Sequence, residues 1–375
     1  MRLFKGGLAA FAAALAFAAH AAPGVTANEI VIGQDIDMSG AIAVRMKPLM
    51  QAADAYFEKL NAAGGVNGRK IRIVRLDSGN KPDKTRENIL ALEKQGVFAM
   101  WAISGTGNVA AALPMLTEKG IPLIGSTSGA DSFYVKRNPI LINLKAGYGD
   151  EIRRMMSHLK ESFTTRVAIV YIDNGFGKEA LKSAQESAKA NNLDLVSVSS
   201  HKEDGTDIDA AVQAAAKAKP AAVLMLTLSG PAPKVIDAYV KTGHSAQVFA
   251  LSIIASDALH KAIGDKSRGV IVTQVMPFPS DRNIPIVREY QDLVGAKGVK
   301  DFSHAGVEGL VYAKALAEGL QAAGKNPTRE GLVAAFQKME SKNLGGLKLS
   351  FSPEKHNGSE FVEITMIGRQ GRLVR

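Results

Sequence analysis

Cysteine is absent from the chain. That absence excludes disulfides, thiol catalysis and the lipid-attachment thiol of a bacterial lipoprotein. Histidine is scarce, with seven residues scattered along the sequence, and no metal-ligand cluster stands out. The patterns G-x-S-x-G, H-E-x-x-H and G-x-x-x-x-G-K-[ST] are missing too. Ser lies close to His around His244 and His304, but proximity in sequence does not supply the spatial geometry of a triad. Neither an enzyme nor a bound cofactor is expected. The net charge of +10 is spread along the chain. No basic run is interleaved with aromatics, so nucleic acid is not an expected partner. A solvated basic surface with mild attraction for anions is the expectation.

Long apolar runs are also lacking, apart from one. Leu8 to Ala19 is apolar and follows Arg2 and Lys5. It is too short to span a bilayer with its flanks. Ala19-His20-Ala21 fits the small-x-small rule for signal cleavage, so residues 1–21 read as an export signal and the mature chain is expected to start near Ala22. The expected location is the periplasm, as a soluble monomer.

The remaining sequence alternates β-rich and helical runs. "EIVIGQDI" reads as a strand. "PLMQAADAYFEKLNAAGG" reads as a helix, with Leu49, Ala53, Tyr56 and Leu60 on one face and Gly64-Gly65 as its stop. "KIRIVRLD", the helix "KPDKTRENILALEKQ", "VFAMWAI", a helix from Ala110 to Glu118 and "IPLIG" continue the series. A second series runs from "RVAIVYID" to "GVIVTQV". Such βαβ repetition predicts an α/β fold of two doubly wound, Rossmann-like lobes. Helices near 286–296, 304–322 and 328–339 and the strand-like "GGLKLSF" and "FVEITMIG" form a tail too small for a domain. The predicted division is 22–144 plus 277–347 for the N-terminal lobe and 145–276 plus 348–375 for the C-terminal lobe. A multi-strand hinge would join them, and the cleft between them is the default ligand site.

Gly105-Thr106-Gly107-Asn108-Val109-Ala110 matches the dinucleotide fingerprint formally. It lies on the third strand, not the first, and no acid follows at the ribose distance; "IPLIGS" stands there. A smaller anion suits it better. A glycine-rich turn into a helix offers N–H groups and the positive dipole end, and Ser104 and Thr106 add hydroxyls. Helix capping alone would explain them equally well. Ser126, Thr127 and Ser128 end the next strand. The two clusters together suit one carboxylate, although turn chemistry explains each singly. Arg45, just beyond Met38-Ser39-Gly40, can pair a carboxylate in a fork or simply start a helix.

"IVIGQDIDMSG", "FEKLNAAGGVNGRKIRIVRLDSGNKPDKTRENILAL", "AISGTGNVAAALPMLTEKGIPLIGSTSG", "VAIVYIDNGFGKEAL" and "PAAVLMLTLSGPAPKVIDAYVKTG" resemble the type I periplasmic binding proteins of branched-chain amino acid ABC transporters. The resemblance covers the whole mature chain. It implies a hinged trap that binds a small molecule and docks on a membrane permease. It also implies a ligand set: Ser104, Gly105, Thr106 and Ser126 to Ser128 for the carboxylate, with Thr127 the best single match. Tyr148, Phe176 and Ser229 would line the remainder. Arg45 stands where amino acid binders carry an aromatic residue. Ser252 stands where they carry the acid that pairs with the ammonium, with Asp257 the only carboxylate close by. A buried ammonium without a countercharge is costly. Two ligand classes stay open, an amino acid and an amine-free, aromatic carboxylate. A sensor built on the same trap is the alternative to a transport component.

Overall fold

The computed structural model describes residues 22–375; the export signal read from residues 1–21 lies outside them. The first half builds β1 (Glu29–Ile36), α1 (Ala43–Ala62), β2 (Lys70–Asp77), α2 (Pro82–Lys94), β3 (Ala99–Trp101), α3 (Thr106–Glu118), β4 (Leu123–Ile124) and β5 (Leu141–Ile142). Next come α4 (Tyr148–Glu161), β6 (Arg166–Ile172), α5 (Gly175–Asn191), β7 (Asp194–His201), α6 (Ile208–Lys217), β8 (Ala222–Leu226), α7 (Ala232–Lys241), β9 (Gln247–Ala250), α8 (Ser256–Ile263) and β10 (Ile271–Gln274). The tail holds α9 (Pro285–Gly295), α10 (His304–Ala322), α11 (Arg329–Gln337), β11 (Lys342–Asn343), β12 (Lys348–Leu349), β13 (Glu363–Ile367) and β14 (Leu373–Val374).

The strands form two main sheets. The first has the order β2-β1-β3-β4-β5 and is parallel throughout. The second has the order β14-β13-β10-β9-β8-β6-β7, with β13 and β14 running antiparallel at one edge. Strands buried on both faces read as continuous apolar runs, the mark of a helix-covered parallel sheet. In β8, Ala222 to Leu226 are all buried, and in β1 every residue after Glu29 is. The doubly wound α/β prediction therefore describes this fold.

The tail divides between the sheets. α10 packs along α1, and its Leu310, Tyr312 and Leu316 share a core with Phe57, Trp101 and Phe336. β13 extends the second sheet through its pairing with β10. The sequence assigns all of 348–375 to the C-terminal lobe, yet Leu349 and Phe351 lie in the same core as Trp101, and Asn357 bridges to Asn143 beside β5. The chain thus passes between the two sheets near 143–147, 275–284 and 358–362.

In a doubly wound sheet the ligand crevice opens where strand order reverses, at the carboxyl ends. In the first sheet that point lies between β1 and β3, and in the second between β6 and β8. The loops after β1, β3, β6 and β8 meet there. Gly230, after β8, donates its N–H to Ala41 O, after β1, at 2.8 Å. A side chain at Gly230 would collide with that carbonyl, since its Cβ would stand 2.8 Å from the oxygen.

Candidate functional site between the lobes

The loop after β1 is held from within. The Asp37 carboxylate accepts N–H groups of Ser39 (3.2 Å), Gly40 (2.5 Å) and Ile42 (2.8 Å), which sets the turn into α1. The Asp37 N–H donates to Ser104 Oγ at 2.7 Å, tying this loop to the one after β3. Ser104 is therefore a fully buried tie between loops. The loop after β3 turns at Ala102, whose φ of 52° is left-handed. A non-glycine residue holds such a conformation at a cost of roughly 1–2 kcal/mol. Gly105 follows at φ 88° as the N-cap of α3. The helix thus begins at Thr106, four residues before the predicted Ala110. The glycine-rich stretch is its first turn, with no side-chain cap.

That uncapped turn faces a cavity of about 160 Å³. Gly105, Thr106, Tyr148 and Phe176 line it, together with Ile42, Leu228 and Ile253. Tyr148 and Phe176 meet edge to face, their centroids 5.1 Å apart. The second hydroxyl cluster stands close by. Ser128 Oγ and Thr106 Oγ1 are 2.9 Å apart and hydrogen-bonded. Ser126 Oγ accepts the Ser128 N–H at 3.1 Å, and Ser126 O accepts the Tyr312 hydroxyl at 2.9 Å. Thr127 Oγ1 is buried and has no hydrogen-bond partner. A buried hydroxyl in a folded protein is normally paired; this one has no partner within the protein, and Thr127 does not itself line the cavity. Among the described residues lining the cavity, the one carboxylate is Glu203. It lies on the exposed side and takes the Asn174 amide at 2.5 Å.

The remaining predicted residues lie elsewhere. Arg45 and Ser252 line a second cavity of about 150 Å³ on the hinge side, with Asp257, Gln274, Phe278 and His304. The Ser229 hydroxyl donates to Ile253 O and shapes the turn instead of facing the cavity; its neighbour Leu228 faces it. Ser252 gives both its N–H and its hydroxyl to Glu151, each at 2.8 Å. Asp257 sits in the first turn of α8, whose N-cap is Ala255, not in the capping role the sequence suggests.

Arg45 also belongs to a buried ionic cluster that sequence reasoning missed. Arg45 is ion-paired to Glu308 of α10 through Nη2, and its Nε donates to Ser252 O at 3.1 Å. Lys145 Nζ lies 3.7 Å from the other Glu308 oxygen. Burial alone would raise the Glu308 carboxyl, but the Arg45 and Lys145 charges outweigh it and hold the group below its usual range. Burial pushes Lys145 down and Glu151 up. Glu308 had one visible signal: it is a lone acid inside the apolar helical run "HAGVEGLVYA". Nothing local marks Lys145 or Glu151 as buried. No group of metal-binding side chains occurs among the described residues, and none of their helices is long and apolar enough to cross a membrane.

Residues 29–372 match the periplasmic binding protein family. The first curated relative, Leu/Ile/Val-binding protein homolog 8 of Brucella abortus, is 24% identical over 193 residues. That match takes in 49% of this chain and 48% of the relative, so the chain spans about half the length of the curated relatives it first matches. A substrate-binding periplasmic protein from Ralstonia solanacearum is 32% identical with a TM-score of 0.85, covering 92% of this chain and 99% of its own. Two further structures share the fold alone. One is a fatty acid ABC transporter substrate-binding protein from Thermomonospora curvata (21%, TM-score 0.85, 94% and 92% covered). The other is a branched-chain amino acid ABC transporter protein from Thermus thermophilus with bound valine (17%, TM-score 0.81, 92% and 95% covered).

Proposed function

The chain belongs to the periplasmic binding protein family, and on that premise we propose that it is the exported solute-binding component of an ABC importer, with a small carboxylate as its ligand. It does no chemistry. The ligand sits between the lobes, the lobes close on it, and the closed form docks on a membrane permease by hinge closure. The carboxylate lies at the uncapped first turn of α3 against Thr127 Oγ1. The observation that carries this reading is that hydroxyl, buried without a partner one residue from Ser128, whose own hydroxyl bonds Thr106 in the first turn of α3. Ile42, Tyr148, Phe176, Leu228 and Ile253 give the cavity an apolar wall for the ligand's body. The hinge-side contacts of Arg45 and Ser252 set which acids fit.

The test is a thermal-shift screen of protein unfolded and refolded to strip carried-over ligand. The panel holds Leu, Val, Phe, aliphatic acids and aromatic acids, each beside its amide. A ligand at a hundredfold excess over its Kd adds about 2.7 kcal/mol. Acids that shift the melt where their amides do not support the reading. Equal shifts from acid and amide would overturn the carboxylate assignment.

A further inference from the structure

The hinge-side cavity brings Arg45 together with two helix starts. Two helices open onto it: Ser303, His304 and Ala305 at the start of α10, and Ala255, Ser256 and Asp257 at the start of α8. The α10 cap, Ser303 Oγ, accepts the Gly306 N–H, leaving the His304 and Ala305 N–H groups for another acceptor. α8 has no side-chain cap. The independent observation is Arg45. It lines the cavity and is only 2% exposed. Nε and Nη2 are engaged, while Nη1 is buried with no partner. The free Nη1 is a charged donor for one carboxylate oxygen. One carboxylate, the half-exposed Asp257, lines the cavity, and the exposed Arg372 lines it as well. The Glu308 charge is already met by Arg45 and Lys145.

The two cavities share a wall. Ile42 and Ile253 line the cleft side, and Arg45, Ser252 and Ile254 line the hinge side. Arg45 lies three positions after Ile42, the N-cap of α1, about 4.5 Å along the axis. We infer that the ligand is a dicarboxylate, with one carboxylate at the α3 turn and the second at Arg45 between the α8 and α10 N-termini. The inference rests on the carboxylate reading of the cleft. As the lobes close, the ligand chain would pass between α1 and the 252–254 turn, and its second carboxylate would accept from the free Nη1 of Arg45. This chain would then differ from an amino acid binder at the hinge-side end of its ligand, where a cation stands in place of an aromatic.

The test is calorimetry on the refolded, ligand-stripped protein. The probes are succinate, glutarate, adipate and pimelate, each beside the monocarboxylate of equal carbon number. One dicarboxylate should bind at least tenfold more tightly than its monoacid, and Arg45→Gln should abolish that preference, so that diacid and monoacid bind alike. If Arg45→Gln does not fold, Arg45→Gln with Glu308→Gln removes the pair together and serves the same comparison. Monoacids that bind as tightly as diacids would overturn the inference and leave the carboxylate reading standing. So would a diacid preference that survives loss of Arg45. If neither series binds, the dicarboxylate inference is overturned, and the carboxylate reading stands or falls on the acid-against-amide panel.

Discussion

Thr127→Val is expected to move stability and affinity in opposite directions. The substitution keeps the branched shape and removes the hydroxyl. That hydroxyl is buried and has no hydrogen-bond partner within the protein. A polar group buried without a hydrogen bond costs about 1–3 kcal/mol in proteins, so the unliganded variant should be more stable, by about 1 kcal/mol. For a chain of this length that is a Tm rise of roughly 1–2 °C. The same atom is the proposed donor to the ligand carboxylate. A hydrogen bond to a charged group is worth about 1.5–3 kcal/mol, a loss of roughly 10- to 150-fold in affinity at about 1.4 kcal/mol per decade. Differential scanning calorimetry without ligand and titration calorimetry with it read the two quantities separately. Unchanged affinity would remove Thr127 from the site. A fall in both Tm and affinity would make the hydroxyl structural and refute the reasoning, because it would then have a partner in the ligand-free fold.

Gly230→Val places a side chain against Ala41 O, to which Gly230 already donates. It should prop the lobes apart, weakening ligand at least tenfold with little change in the unliganded melt, and small-angle scattering should show no compaction on adding ligand. Glu308→Gln leaves Arg45 and Lys145 without their shared counter-charge; breaking a buried pair costs roughly 3–5 kcal/mol, read by chemical denaturation. His304 is held neutral, mainly by burial and further by the Arg45 and Arg375 charges, which push its pKa down to about 3. The unfolded chain takes up that proton near pH 6.5 and the folded one does not. Stability is therefore full above about pH 6.5 and falls as pH drops toward 3, by at most about 1.4 kcal/mol per pH unit from this group. His304→Gln should flatten that part of the profile, and an unchanged acid limb would contradict it.

Much of the architecture was legible because parallel strands announce themselves. β1 and β8 are continuous apolar runs, and the helices between them carry a 3.6-residue pattern. The start of α3 differs from the sequence reading because Gly105-Thr106-Gly107 reads as loop, while the φ of 88° at Gly105 makes that residue a cap. The tail was harder still, since membership of a lobe is decided by long-range packing: Phe351 meets Phe336 at 5.6 Å between centroids, which no local pattern records. Within the site, the hydroxyl clusters were visible as types at strand ends. The direction of each side chain was not. Ser252 turns to Glu151, a partner 101 residues away in sequence, and Leu228 takes the place expected for Ser229. The pairing of Arg45 with Glu308 spans 263 residues and emerges only when α1 and α10 pack together.

The most direct measurement is a crystal structure of the protein with the acid that shifts its melt furthest. The account predicts closed lobes around the ligand, with one carboxylate within hydrogen-bond distance of Thr127 Oγ1 and of the first-turn N–H groups of α3. A ligand seated with its carboxylate away from that turn, or bound outside the cleft between the two sheets, would contradict it.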